Sequence, residues 1–204
     1  MRRQLHALRF TLAASLLALA GCASTRVESS GAPLQEPLCR AGMPAVATAV
    51  VWGTQWRPDQ KEPALREAAA LRGIEDFLGS THCLAVTGVQ RFPGGAEPPS
   101  DAQLRQQVAA SPVRAERIVL IVVRELGPRL TVGLPVIVEG GTEVLIDVRV
   151  LDPRQTAPMA STRTLWRHGG RFVIQGVQTL DHDMSAALRA TLMPGSVPAD
   201  AMKP

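Results

Sequence analysis

The chain predicts an α/β fold: one mixed sheet laid down as β-α-β-α-β, then an antiparallel meander and a C-terminal helix, all in a single domain. Three observations carry this. Apolar, β-branched runs at 45–52, 84–92 and 117–126 alternate with stretches of helical spacing at 64–78 and 100–110. Residues 143–151 then alternate strictly, with Val144, Ile146, Val148 and Val150 on one side and Glu143, Asp147 and Arg149 on the other, as in a half-buried antiparallel strand. A chain of 204 residues, 46% hydrophobic, suits one domain with a real core.

Taken in order, residues 1–21 read as a signal peptide. Arg2, Arg3 and Arg9 precede an apolar run from Phe10 to Ala20 that ends in small residues. As a helix that run would span about 16 Å, too short for a hydrocarbon core of about 30 Å. Residues 22–38 are rich in Ser, Gly, Pro and Thr and read as a flexible tether holding the body roughly 20–25 Å from its attachment. The domain is expected over 39–193, with a disordered tail at 194–204.

Within it, 45–52 is strand one. Pro63 opens a helix whose Ala68, Leu71, Ile74 and Leu78 share a face, and Gly79 stops it. Strand two follows at 84–92, with Gly88 as a bulge. Ser100 and Gln103 have the spacing of a capping box at the start of the second helix. Ile118–Val123 is apolar without alternation, so strand three is buried on both faces. Gly127-Pro128 is expected to break it, 130–139 to be irregular or an edge strand, and Gly140-Gly141 to form a hairpin turn. Asp152-Pro153 turns the chain into a strand at 159–167, and His168-Gly169-Gly170 turns it again. Residues 171–178 are ambiguous between strand and loop. Asp181 or Asp183 caps a last helix through Leu192. Right-handed crossovers make the early strands parallel.

Leu19-Ala20-Gly21-Cys22 resembles the lipobox of bacterial lipoproteins. That resemblance implies cleavage before Cys22, a diacylglycerol on its sulfur and a further acyl chain such as palmitate on the new amine. Two or more chains anchor stably. Ala23, where inner-membrane lipoproteins carry Asp, points to the outer membrane with the body facing the periplasm. With Cys22 in the anchor, Cys39 and Cys83 remain as an even pair in an oxidising compartment, either joined or as two thiols. A bond between them would close a loop of about 45 residues, worth roughly 4 kcal/mol in the chain-entropy picture. Parallel strands start at one sheet edge, which would let the two cysteines meet.

The net charge of +4 comes largely from the arginines of the signal segment. The mature chain is close to neutral and shows no basic stripe, so nucleic acid is not an expected partner. The element order, with the passage TEVLIDVRVLDPRQTAPMASTRTL, resembles small periplasmic α/β domains. These include the N-terminal domain of the Tol-system β-propeller protein, the lipoproteins that activate penicillin-binding proteins, and the curli-secretion lipoprotein. Those families place a Gly after the Thr of the turn; here Thr156 is followed by Ala157, and no partner-binding motif carries over.

No nucleophile elbow, Ser-x-x-Lys, phosphate-cradling glycine loop or His-Glu-x-x-His is present. Asp181-His182-Asp183 is the most metal-like cluster, but consecutive residues diverge and a helix start explains the acids. His82-Cys83 lacks the spatial convergence that a nucleophile and base require, and a disulfide use of Cys83 is preferred. His168 reads as a solvated turn residue. Trp52 and Trp166 read as core or rim, whereas Trp56 beside Arg57 has the character of an exposed interface anchor. The expected function is a non-enzymatic lipoprotein of the outer membrane, without cofactor or metal. It would act as an interaction or assembly module in envelope maintenance or secretion, with an envelope protein as partner. The alternative is a small-ligand or lipid carrier with an apolar cleft. A hydrolase would have to assemble from Asp147, His168 and Asp181.

Overall fold

The computed structural model describes residues 23–36, 38, 44–133, 137–171, 173 and 175–193. The expected signal peptide, Cys22, Cys39 and the 194–204 tail lie outside them. Six strands form one mixed sheet: β1 (Ser24–Ala32), β2 (Val46–Thr54), β3 (Leu84–Arg91), β4 (Arg117–Gly133), β5 (Ile137–Leu151) and β6 (Ala160–Arg171). Their spatial order is β1-β6-β5-β4-β2-β3. Among the described residues three α-helices accompany them: α1 (Pro63–Ser80), α2 (Asp101–Ala109) and α3 (Leu180–Leu192).

β2 pairs parallel with both β3 and β4, and the remaining pairs are antiparallel. The chain steps outward from β2 to β3 and then back across to β4. Two right-handed crossovers in opposite directions put their helices on opposite faces, and the core divides accordingly. On one face α1 and α3 cover Val50, Trp52, Val119, Ile121, Val123, Val144, Ile146, Val148 and Trp166. On the other, α2 lays Leu104 against Val51, Phe92, Ile118, Leu120, Val122 and Leu151. β4 lies between them, which is why Ile118–Val123 is apolar at every position and buried throughout.

α1 begins at Pro63 as expected but runs on past Gly79 to Ser80. Its buried face is Ala69, Ala70, Gly73, Ile74 and Phe77 rather than the face through Ala68. The rotation brings Gly73 under α3, where a β-carbon would lie 2.5 Å from the Asp181 carbonyl oxygen. α2 has the expected capping box: Ser100 Oγ accepts from Gln103 N–H, and Gln103 Oε1 accepts from Ser100 N–H at 2.8 Å. The pairing of β2 and β3 slips where Thr48 faces Val86 and Ala49 faces Gly88, the expected bulge.

Four expectations are corrected. Most of the flexible tether is strand: Ser24–Ala32 pairs along β6, and Leu34 and Leu38 then pack against the core. Gly127-Pro128 does not end β4, which continues to Gly133. Beyond the partner of Thr54 at Val123, β4 has a neighbour on the β5 side only, and there a proline without an N–H is tolerated. Gly140-Gly141 and His168-Gly169-Gly170 are not turns. They lie mid-strand, facing one another across β5 and β6.

Candidate functional site

α1 and α3 share one face of the sheet, and α2 reaches only the β2–β4 side of the other. Among the described residues, the second face of β5, β6 and β1 therefore carries no helix, and it presents charged side chains. On β5, Glu139, Glu143 and Asp147 recur every fourth residue. On β6, Arg163, Arg167 and Arg171 do the same. The antiparallel register sets them directly opposite: Glu139 faces Arg171, Glu143 faces Arg167, and Asp147 faces Arg163. The rungs lie roughly 13 Å apart along the strands, with Gly141–Gly169 and Leu145–Leu165 between them.

Two of the three rungs, Asp147–Arg163 and Glu143–Arg167, each gain an arginine from β4. Asp147 accepts from Arg163 Nε and Arg124 Nε, both at 2.6 Å, and from Arg163 Nη2 at 2.9 Å. Glu143 accepts from Arg167 Nε at 2.8 Å, with Arg129 Nη1 at 3.7 Å. Arg167 reaches on to Glu28 of β1 at 3.6 Å. The outer rung, Arg171–Glu139, is looser at 3.8 Å. Burial pushes the Asp147 carboxyl upward, but hydrogen bonds from Arg163 and Arg124, with their charges, outweigh it and hold the group below the ordinary carboxylate range. Arg163 is held correspondingly more firmly protonated by its hydrogen bond to Asp147.

Arg26 of β1 lies opposite Arg167 and makes no ion pair with another described residue. Cations thus outnumber carboxylates on this face. Two shallow grooves cross it. One of about 420 Å³ is bordered by Arg26, Arg129, Arg167 and Arg171 and floored by Gly140, Gly141, Gly169 and Gly170, where no side chain screens the backbone. The other, about 380 Å³, lies around Arg124, Asp147, Arg149 and Arg163. Arg149 closes its margin by donating to Asp101 at 2.5 Å and to the Pro99 carbonyl at 2.6 Å, which ties the start of α2 to the sheet.

The residues singled out from sequence do not converge. Asp147 lies on the charged face. His168 is half-buried on the opposite one, stacked on Trp166 at 5.8 Å between ring centres and hydrogen-bonded through Nδ1 to Thr25 Oγ1 at 2.8 Å. Asp181 faces Arg72 of α1 at 3.4 Å. Burial raises the Asp181 carboxyl, but hydrogen bonds from the His182 backbone and Arg72 bring it below its usual range. The three form no hydrolase site. Asp183 turns back to accept from Thr179 Oγ1 at 3.1 Å, and among the described residues no group of ligands could hold a metal ion. Thr179, rather than either aspartate, occupies the N-cap position of α3, and it makes no side-chain capping hydrogen bond.

Trp52 and Trp166 are buried. Trp56 is half-buried and packs against the core, rather than standing exposed. Its neighbour Arg57 is exposed and pairs with Glu125 at 3.1 Å. Glu125 also meets Arg66, a buried arginine of α1 that donates Nε to the Lys61 carbonyl at 2.7 Å and Nη1 to the Leu126 carbonyl at 2.5 Å. Cys83 is half-buried beside the start of β2, its carbonyl accepting from Val46 N–H at 2.9 Å. The charge ladder itself was missed in sequence. Its signal is the fourfold spacing of acids over 139–147 and of arginines over 163–171, which becomes a site only once the register is known.

No family model matches the chain, and no curated protein matches it at a significant level. Among solved structures it is similar to a PelC dodecamer from Paraburkholderia phytofirmans, at 12% identity over 82% of this chain and 97% of that one, with a TM-score of 0.42. It is also similar to a neuraminyllactose-binding hemagglutinin homolog from Helicobacter pylori, at 12% identity, 78% and 86% coverage and a TM-score of 0.36. A third likeness is to a DUF330 protein from Xanthomonas campestris, at 14% identity, the same coverages and a TM-score of 0.34. No residue role or activity is carried over from proteins this distant.

Proposed function

We propose that the chain is a lipid-anchored interaction module of the outer membrane, facing the periplasm, whose helix-free sheet face receives an anionic surface of an envelope protein. The observation that carries this is the ladder Glu139–Arg171, Glu143–Arg167, Asp147–Arg163, edged by Arg26, Arg124 and Arg129 and left without a covering element. Arginines held by neighbouring carboxylates are already ordered, which lowers the ordering cost of meeting a partner. Cys22 supplies the anchor, and a bond between Cys83 and Cys39 would fasten the 39–43 segment to the start of β3. Arg57, beside the half-buried Trp56, extends the cationic border.

The carrier alternative draws less support. The two larger grooves are open and lined by arginines, and the apolar hollow near Val50, Val108 and Val113 holds about 50 Å³, against roughly 300–1,000 Å³ for small-molecule pockets.

The test is photo-crosslinking in intact envelopes from a probe at Ser30, beside the second groove. A discrete protein adduct that disappears on Arg26→Glu, and does not form from a probe at Asp76 on α1, is the expected result. No specific adduct, or equal adducts from both positions, overturns the reading.

A further inference from the structure

β1 begins at Ser24, two residues after Cys22. The link between them spans at most about 7 Å when extended. The register fixes which end of the body lies there. Ser24 faces Gly169, Gly169 faces Gly141, and Gly141 faces Arg129. Past that row, in the direction from which the chain enters β1, come Leu130–Gly140–Gly170, then Thr131–Glu139–Arg171, then Val132–Val138. An acyl anchor on Cys22 would therefore lie at the end of the sheet formed by the β4–β5 hairpin.

That end is amphipathic. Leu130 and Val132 continue the side of β4 that buries Leu126, but they lie beyond the helices and are 62% and 64% exposed, against 0% for Leu126. Arg129 and Arg171 stand at that end on the other side, with Arg26 further in on β1, opposite Arg167. The carboxylate contacts there are loose: Glu139 meets Arg171 at 3.8 Å, and Glu143, one rung inward, lies 3.7 Å from Arg129.

We propose that this end of the sheet rests on an anionic lipid bilayer, with Leu130 and Val132 in the headgroup region and Arg129 and Arg171 against lipid phosphates. The inference rests on the reading of Cys22 as acylated, and deepens it: the body lies on the membrane instead of hanging from it. Attraction to an anionic surface fades within a Debye length, about 8 Å at physiological salt. A link this short keeps the arginines within that range.

The test uses the full chain expressed in an envelope-bearing host and reconstituted into phosphatidylethanolamine–phosphatidylglycerol vesicles with brominated acyl chains. Leu130→Trp is compared with Val89→Trp on β3, at the far edge of the sheet, and intact mass reads acylation of Cys22. The expected result is an acyl mass, a blue shift, and loss of most of the emission added by Leu130→Trp, with that added by Val89→Trp unquenched. Acylation with equal quenching at the two positions overturns the inference and leaves the anchor standing. Selective quenching at position 130 without an acyl mass removes the anchor and supports the surface. Neither signal removes both.

Discussion

A β-carbon at Gly127 would overlap the guanidinium of Arg66, which is held by the carbonyls of Lys61 and Leu126 and by Glu125. The guanidinium cannot move aside without cost, because moving it leaves a buried carbonyl and a partly buried carboxylate without their donor. Gly127→Ala should therefore cost about 1–3 kcal/mol, seen as a lower urea midpoint with an unchanged slope. Asp147 gives a second prediction. Its carboxyl titrates below its ordinary value in the folded protein, so its contribution is complete above the unfolded carboxylate range, near pH 4, and is lost as pH falls through the lower folded value. Wild-type stability should fall in acid more steeply than that of Asp147→Asn, as followed by thermal melts from pH 6 to pH 2. Arg66 also shows what sequence reading overlooks. An arginine two positions from the expected apolar stripe looks like a solvated face, and only tertiary packing reveals that the bulged segment around Glu125 and Leu126 needs a donor.

Among the elements, those whose signals are local were legible in the sequence. The capping box at Ser100 and Gln103, the opening proline of α1 and the doubly buried strand Ile118–Val123 all formed as expected. Ser100→Ala should cost about 1 kcal/mol of stability in chemical denaturation, with amide exchange faster first in α2. Where pairing decides, local signals misled. Glycine pairs ordinarily mark turns, but Gly140-Gly141 faces Gly169-Gly170 across two strands, and the match in position matters more than the preference of either pair. Pro128 and Gly127 together resemble a stop, yet the edge geometry of β4 past Val123 accepts both. The charge ladder belongs to the same class, since its two halves are separated in sequence by the turn at Asp152-Pro153 and become neighbours only through register.

For the whole molecule, the parallel early strands followed from the order of elements and the handedness of crossovers, and they stand as read. The placement of the N-terminal segment did not follow, because Ser- and Gly-rich composition reports the absence of an apolar stripe and says nothing about an edge strand that needs none. Val27 alone of β1 joins the main core, and the strand is otherwise held by its ladder to β6. That ladder closes a long circuit: Thr25 and His168 meet although 143 positions separate them. A polypeptide synthesised from its amino end delivers β1 first, and its template arrives nearly last. The leading strand must wait, unpaired, while the centre of the sheet assembles, because closing so wide a loop is slow until the rest has collapsed. Pulse-labelled hydrogen exchange during refolding should show β1 amides protected after those of β4 and β5. Until that moment β6 has an open margin, and the nascent body is most vulnerable to proteases and to mispairing with its neighbours.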